Sequence, residues 1–311
     1  MKITVFAAGS RGDIQPCIAL SRGLQRAGYR VRLAAPEDFA GFARQYDVGF
    51  SPLSGDVQQI MASDTGRTFM ETGGANPLKS IRAMRTMIAP VIMAMAEDAY
   101  AACRDADALI CLGVFSAFGR AIAEALGIAI INMEPTPLLP TRAFAAPSWP
   151  IQKDWGGAHN YLSGLAMLAV IWLWHRPFVR EFRQRLGLSP RSAAGHYRAF
   201  RSTPLLSAYS PSVIPHPADW PDGVHVTGYF FLDDQADWQP SPQLSAFLEA
   251  GDPPVYIGFG SMAGRNPERL AGLIMEALAK SGQRGLLLTG WGGLRTASTP
   301  DSVFVTDSAP H

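Results

Sequence analysis

Cysteine is scarce in this sequence. Cys17, Cys103 and Cys111 are the three in 311 residues, an odd number, widely spaced and without a CxxC pair. That excludes a disulfide framework and a structural zinc site, and it fits a reducing compartment. An excess of one charge is missing too. Lys and Arg number 27 against 26 Asp and Glu, a formal net charge of +1, with no basic stripe and no charged tail. Nucleic acid is therefore not an expected partner. The first residues hold one Lys and a short apolar run, Ile3–Ala8, before Arg11 and Asp13, too early a return to charge for a signal peptide. The longest apolar run, Leu162–Trp174, is too short to cross a bilayer core of roughly 30 Å as a helix. A buried helix is its expected state, with His175 and Arg176 after it suited to a membrane surface.

What is present is a strand-helix rhythm. Ile3–Ala8 reads as a buried strand stopped by Gly9. Ile14, Cys17, Ile18, Leu20, Leu24 and Ala27 then recur on one helical face, and Gly28 stands where a helix ends. Strands are expected at 29–35, 48–52, 108–112, 128–132, 205–208 and 224–227. A long methionine-bearing helix is expected after Asn76-Pro77, kinked at Pro90. Residues 134–157 carry five prolines and no periodicity, a long loop of the kind that is usually functional. The stretch 232–242 (LDDQADWQPSP) reads as a linker, and Asp233, Asp234 and Asp237 lack the further ligands that a metal site needs. Beyond it strands are expected at 255–258, 285–289 and 302–306, with a helix over 267–281. Alternating strands and helices predict an α/β fold with a parallel sheet and helices on both faces.

Four stretches in register resemble the UDP-glycosyltransferase superfamily, in its branch of sterol and antibiotic glycosyltransferases. They are GSRGDIQP (9–16), EPTPLLPTRAF (134–144), PPVYIGFGSM (253–262) and LTGWGGL (288–294), with the terminal SAPH (308–311) matching as well. The resemblance implies the GT-B fold: a complete N-terminal Rossmann-like acceptor domain (1–232), a linker (233–252) and a partial nucleotide-sugar domain (253–311). The family's HGGxGT segment would follow the APH stretch and is not in this chain. The expectation is therefore that these 311 residues transfer little sugar or none.

By the same resemblance the reaction is inverting transfer of a hexose, glucose above all, from a UDP-sugar to a hydroxyl of an apolar acceptor. Asp13 matches the acceptor-side base and Ser10 is a second polar contact. Gly260, Ser261, Met262, Trp291 and His311 match the donor side. Met84, Met87, Phe144 and Trp149 are candidate walls of an acceptor pocket, each also suited to ordinary packing. No metal and no cofactor are implied beyond the UDP-sugar itself. No obligate protein partner is evident, and the expected location is cytoplasmic, with peripheral contact at the inner membrane face. Two other readings are weighed. A dinucleotide oxidoreductase would use Glu37 on a ribose, yet neither GxGxxG nor GK[ST] follows the first strand. A chain that binds acceptor without transferring sugar is the other, and an adhesive role for Arg11-Gly12-Asp13 is disfavoured by its place after that strand.

Overall fold

Ile3, Val5 and Phe6 are buried from both sides, so the first strand lies inside a sheet rather than at its edge. The computed structural model describes residues 1–56, 59, 60, 63, 66, 77–147, 149, 155–232, 239–261, 266–290 and 299–307, the side chains of 77–81 and 84 excepted. Contacts divide the chain into two compact units: residues 1–57 with 75–232, and residues 58–74 with 233–311.

The first unit is built on seven parallel strands: β1 (Lys2–Phe6), β2 (Arg30–Pro36), β3 (Gly49–Leu53), β4 (Ala108–Leu112), β5 (Ala129–Glu134), β6 (Leu205–Ser207) and β7 (Val224–Val226). Their order in the sheet is β3-β2-β1-β4-β5-β6-β7. Every residue of β4 is buried, as the near-continuous apolar run ALICL requires of a strand covered on both faces. Helices α1 (Arg11–Arg26), α2 (Ala40–Gln45), α3 (Pro77–Ile88), α4 (Ile92–Cys103), α5 (Ser116–Leu126), α6 (Gly157–Arg185) and α7 (Ala193–Ser202) cover it. On one face Phe6, Leu109 and Cys111 of the sheet pack with Ala96 and Ala99 of α4, Phe118 and Ile122 of α5 and Phe182 of α6. Gly119 lets α5 sit close: a Cβ there would come within 2.6 Å of Cys111 Sγ.

Three expectations change. The methionine-bearing helix is not kinked at Pro90 but broken. Ala89 and Pro90 form a turn, Val91 N–H donates to Ile88 O at 3.1 Å, and a new ladder starts from Val91 O. Proline has no N–H to offer there and its ring displaces the preceding turn. The apolar run 162–174 is not a buried helix. It belongs to a helix of 29 residues, α6, which is long and apolar enough to cross a membrane by length and composition. Trp172, His175, Val179 and Phe182 face the core, while Leu162 is 62% and Leu173 is 38% exposed. Finally, the segment 233–252, expected as a linker, contains α8 (Pro242–Glu249). Ser241 Oγ accepts the N–H of Leu244 at 3.1 Å, and Pro242 takes the first helical position, where a missing N–H costs nothing.

The second unit has a three-stranded parallel sheet of β8 (Val255–Gly258), β9 (Gly285–Leu288) and β10 (Val303–Thr306), in the order β10-β9-β8. Helix α9 (Pro267–Ser281) packs Ala271, Ile274 and Leu278 on Leu287 and Val303.

Candidate active site

In the first unit the chain leaves β1 toward β2 on one side, while β4 pairs with β1 on the other. In such a sheet the reversal of strand order opens a crevice at the carboxyl ends of the two central strands. The loop after β1, Gly9–Asp13, lies at that end. Gly9 has φ +148°, and a Cβ on it would stand 2.2 Å from Asp13 Oδ2. Only glycine leaves room for the Asp13 carboxylate to fold back over the turn. Asp13 Oδ2 accepts the backbone N–H of Ser10 at 2.8 Å and the Ser10 hydroxyl at 3.2 Å. The pair closes the first turn of α1 as a capping box, with Ser10 as N-cap. Among the described residues no donor reaches Asp13 Oδ1. Burial raises the Asp13 pKa, and the two Ser10 bonds work against that rise. The expected pair, Ser10 and Asp13, is thus brought together on the edge where a ligand binds in this class of sheet.

A second carboxyl, which is not among the site residues expected from the sequence, stands at the same end of the sheet. Glu134 is the last residue of β5 and is 1% exposed. Its Oε2 accepts Leu138 N–H at 3.3 Å, whereas Oε1 is buried without a partner. Register places it opposite Ser207 of β6, and Asn132 lies two residues back on the same face. Asn132, Glu134, Ser207 and Tyr209 are all buried, and each holds at least one buried polar atom without a hydrogen-bond partner. Burial pushes the Glu134 carboxyl up to about 8, so it is largely protonated at neutral pH. Burial likewise lifts Tyr209 to about 12, opposed by the Ser207 hydroxyl and helped by the Glu134 charge. Gly113, at the end of β4, makes the space: a Cβ there would fall 2.5 Å from Glu134 Oε1. The signal in the sequence was a lone carboxylate closing an otherwise apolar strand.

Gly113 and Leu138, which touch Glu134, also border a cavity of about 20 Å³ walled by Trp172, His175, His196 and Phe200. The His196 ring stacks on Trp172 with centroids 4.6 Å apart. Burial, then the nearby Arg120, His175 and Arg191, lower its pKa to about 4. Burial lowers His175 as well, and its Nδ1 pairs with Ile171 O at 3.0 Å. Both imidazoles are therefore neutral near pH 7.

The other expected residues are more scattered. Met87 is buried in α3, Phe144 packs edge-on against Trp220 at 6.3 Å, and Trp149 is half-buried in a turn after Ala146. None of the three borders the cavity beside Glu134. The Met84 side chain lies outside the described residues. In the second unit Gly260 (φ +55°) and Ser261 form the turn after β8. Gly290, at the end of β9, presses on it so closely that a Cβ would meet Gly260 O at 2.3 Å. Met262, Trp291 and His311 lie outside the described residues, as do Asp233, Asp234 and Asp237.

The strand order and the loop after β1 define a doubly wound α/β protein of Rossmann-like form, and the fold is of the GT-B type. Residues 3–145 match the family described as the glycosyltransferase family 28 N-terminal domain. Along its whole length the chain is similar to a sterol 3-beta-glucosyltransferase of Arabidopsis thaliana, UGT80B1, at 34% identity, covering 51% of that protein. It is similar at 32% identity to a sterol 3-beta-glucosyltransferase of Aspergillus clavatus, covering 22% of it. The chain thus spans about half the length of the plant relatives that it matches and less of the fungal one. Among solved structures it superposes on the glycosyltransferase of kitacinnamycin with a TM-score of 0.64 at 17% identity, over 99% of this chain and 71% of the other. The calicheamicin glycosyltransferase CalG4 superposes with a TM-score of 0.60 at 14% identity, over 99% and 71%.

Proposed function

We propose that the chain is the acceptor-binding part of an inverting glycosyltransferase that moves glucose from UDP-glucose to the hydroxyl of a sterol-like acceptor. The observation that carries this reading is the Asp13 carboxylate. It sits after β1 at the switch point, fixed through one oxygen by Ser10, with no described donor on the other and a pKa raised by burial. The sterol and the glucose come from the whole-length similarity to sterol 3-beta-glucosyltransferases.

In the proposed step the acceptor hydroxyl donates its hydrogen bond to Asp13 Oδ1. Its oxygen attacks the anomeric carbon from the face opposite the diphosphate. The bond from that carbon to the UDP oxygen breaks, its electron pair leaves with UDP, and the proton passes to Asp13. Ser10 holds the carboxylate in place for the transfer. A raised pKa brings the carboxylate nearer to that of a useful base at neutral pH, and orientation supplies the rest. Taken by itself, the turn Gly260–Ser261 of the second unit offers backbone N–H groups and a hydroxyl that suit an anion such as a diphosphate. The step as proposed uses neither a metal nor a cofactor besides the sugar donor.

The exposed face of α6, with Leu162 and Leu173 followed by Arg176 and Arg180, supports peripheral contact with a membrane holding such an acceptor. Three buried, unpaired thiols support a cytoplasmic location, at the inner membrane face.

The test joins this chain to the C-terminal half of the Arabidopsis relative and follows glucose transfer from UDP-glucose to sitosterol. Asp13→Asn is expected to remove transfer by at least about 100-fold, the usual scale of a general base, while sterol binding persists. Transfer by the Asp13→Asn protein at the unsubstituted rate refutes the assignment.

A further inference from the structure

Helix α6 and the chain that follows it form a pocket of about 290 Å³ bordered by Trp172, Arg176, Arg180, Arg183, Pro190 and Arg191. Four guanidinium groups meet there. Arg183 is almost fully buried and is spent: Nη1 and Nη2 donate to Glu124 at 2.9 and 3.0 Å, and Nε donates to Ser189 O at 2.7 Å. Arg191 Nη2 donates to the same Glu124 at 2.7 Å, while its Nε is buried with no acceptor. Arg176 and Arg180, one turn apart on the exposed face, have no anionic or hydrogen-bonding partner among the described residues. Glu181 lies on the same helix but pairs with Arg185, as does Glu97. Among the described residues Glu124 is therefore the one carboxylate paired with any of these four arginines, bonding Arg183 and Arg191, and Arg120 adds to the surplus from α5. Burial, and next the charge of Arg191, lower the pKa of Arg120, as crowding of like charge would.

We propose that this pocket binds a phosphate ester, with Arg176 and Arg180 gripping its oxygens and Arg191 Nε supplying a further donor. Planar guanidinium forks match the oxygens of phosphate two at a time, and a surplus of fixed positive charge over a Trp wall has no other described counterpart. The ester is either the headgroup of a phospholipid or a soluble phosphate compound. The inference rests on the arginines alone and stands whether or not the chain transfers sugar.

Two probes on the full chain test it. One is flotation with phosphatidylcholine vesicles carrying phosphatidic acid, compared with vesicles carrying an equal charge of oleic acid. The other is calorimetric titration with inorganic phosphate. Preference for the phosphatidic acid vesicles assigns the site to a headgroup, and binding of inorganic phosphate alone assigns it to a soluble ester. The double substitution Arg176→Gln/Arg180→Gln should weaken whichever binding occurs by about 30-fold, the effect of two basic residues at a phospholipid surface. Both side chains are exposed, so the thermal melt should stay unchanged. Arg30→Gln/Arg104→Gln, which removes equal charge away from the pocket, should alter binding by less than about threefold. Binding of neither probe overturns the proposal. So does unchanged binding in the pocket variant, an equal loss in the control variant, or indifference between phosphatidic and oleic acid without phosphate binding.

Discussion

Gly9 and Asp13 are fitted to one another: the carboxylate oxygen Oδ2 lies 2.2 Å from where a Gly9 Cβ would stand. The absence of a side chain at one residue sets the position of the other. Gly9→Ala should therefore destabilise the first unit by about 1–3 kcal/mol, from strained φ and from the displaced carboxylate. In an Asp13→Ala background the same change should cost less, because the clashing atoms have gone. Urea denaturation of the four proteins measures this coupling, and equal costs in the two backgrounds would disprove the fit.

Glu134 should make stability depend on pH in the basic direction. Its carboxyl is held up to about 8 in the folded chain, against an ordinary value of 4.5. The folded state thus binds the proton more tightly, and the contribution is fully present below about pH 4.5. It falls as pH rises and is lost through about pH 8, at up to about 1.4 kcal/mol per pH unit. Glu134→Gln mimics the protonated acid and should flatten this slope, leaving the variant relatively more stable at pH 8 than at pH 5. Melting curves across that range decide, and parallel profiles for the two proteins would contradict the buried neutral carboxyl.

Glu124 neutralises the buried Arg183 and the half-buried Arg191. Glu124→Gln keeps the shape but leaves Arg183 without a counter-charge, which should cost about 3 kcal/mol. Chemical denaturation reads the loss, and a change below about 0.5 kcal/mol would show that the pair is solvated rather than structural.

The thiols should be inert in the native state. Cys17, Cys103 and Cys111 are buried, and burial raises the pKa of each. A thiol reagent should label none of them in folded protein and all three in denaturant, since the thiolate is the reactive form. Rapid labelling of any one under native conditions would contradict its placement.

Most of the fold was legible because buried parallel strands announce themselves as short apolar runs. ALICL and IAIIN can hardly be read otherwise, and Gly9 and Gly28 mark where elements stop. The loop after β1 was legible for the same reason: a glycine turn ending a buried strand leaves polar residues at its carboxyl end. Burial in α6 was not. A run such as LSGLAMLAVIWLW reads as buried throughout, yet the helix that holds it packs against α3 and α5 while Leu162 and Leu173 face outward. The break at Pro90 turns on whether local packing tolerates a kink, which periodicity does not record. Glu134 was not legible because its isolation depends on Gly113, Ser207 and Tyr209, which are distant in sequence and meet only when β4, β5 and β6 align. The arginine pocket likewise joins Arg176 and Arg180 to Arg191 across a turn.

The central claim is that Asp13 accepts a hydrogen bond from the hydroxyl of a sterol-like acceptor. The most direct measurement is equilibrium binding of sitosterol and of its 3-O-methyl ether to this chain and to its Asp13→Ala variant. The unsubstituted chain should prefer the free hydroxyl by about tenfold or more, and the variant should bind both alike. Equal affinity of the unsubstituted chain for the two sterols, or a preference that survives Asp13→Ala, would contradict it.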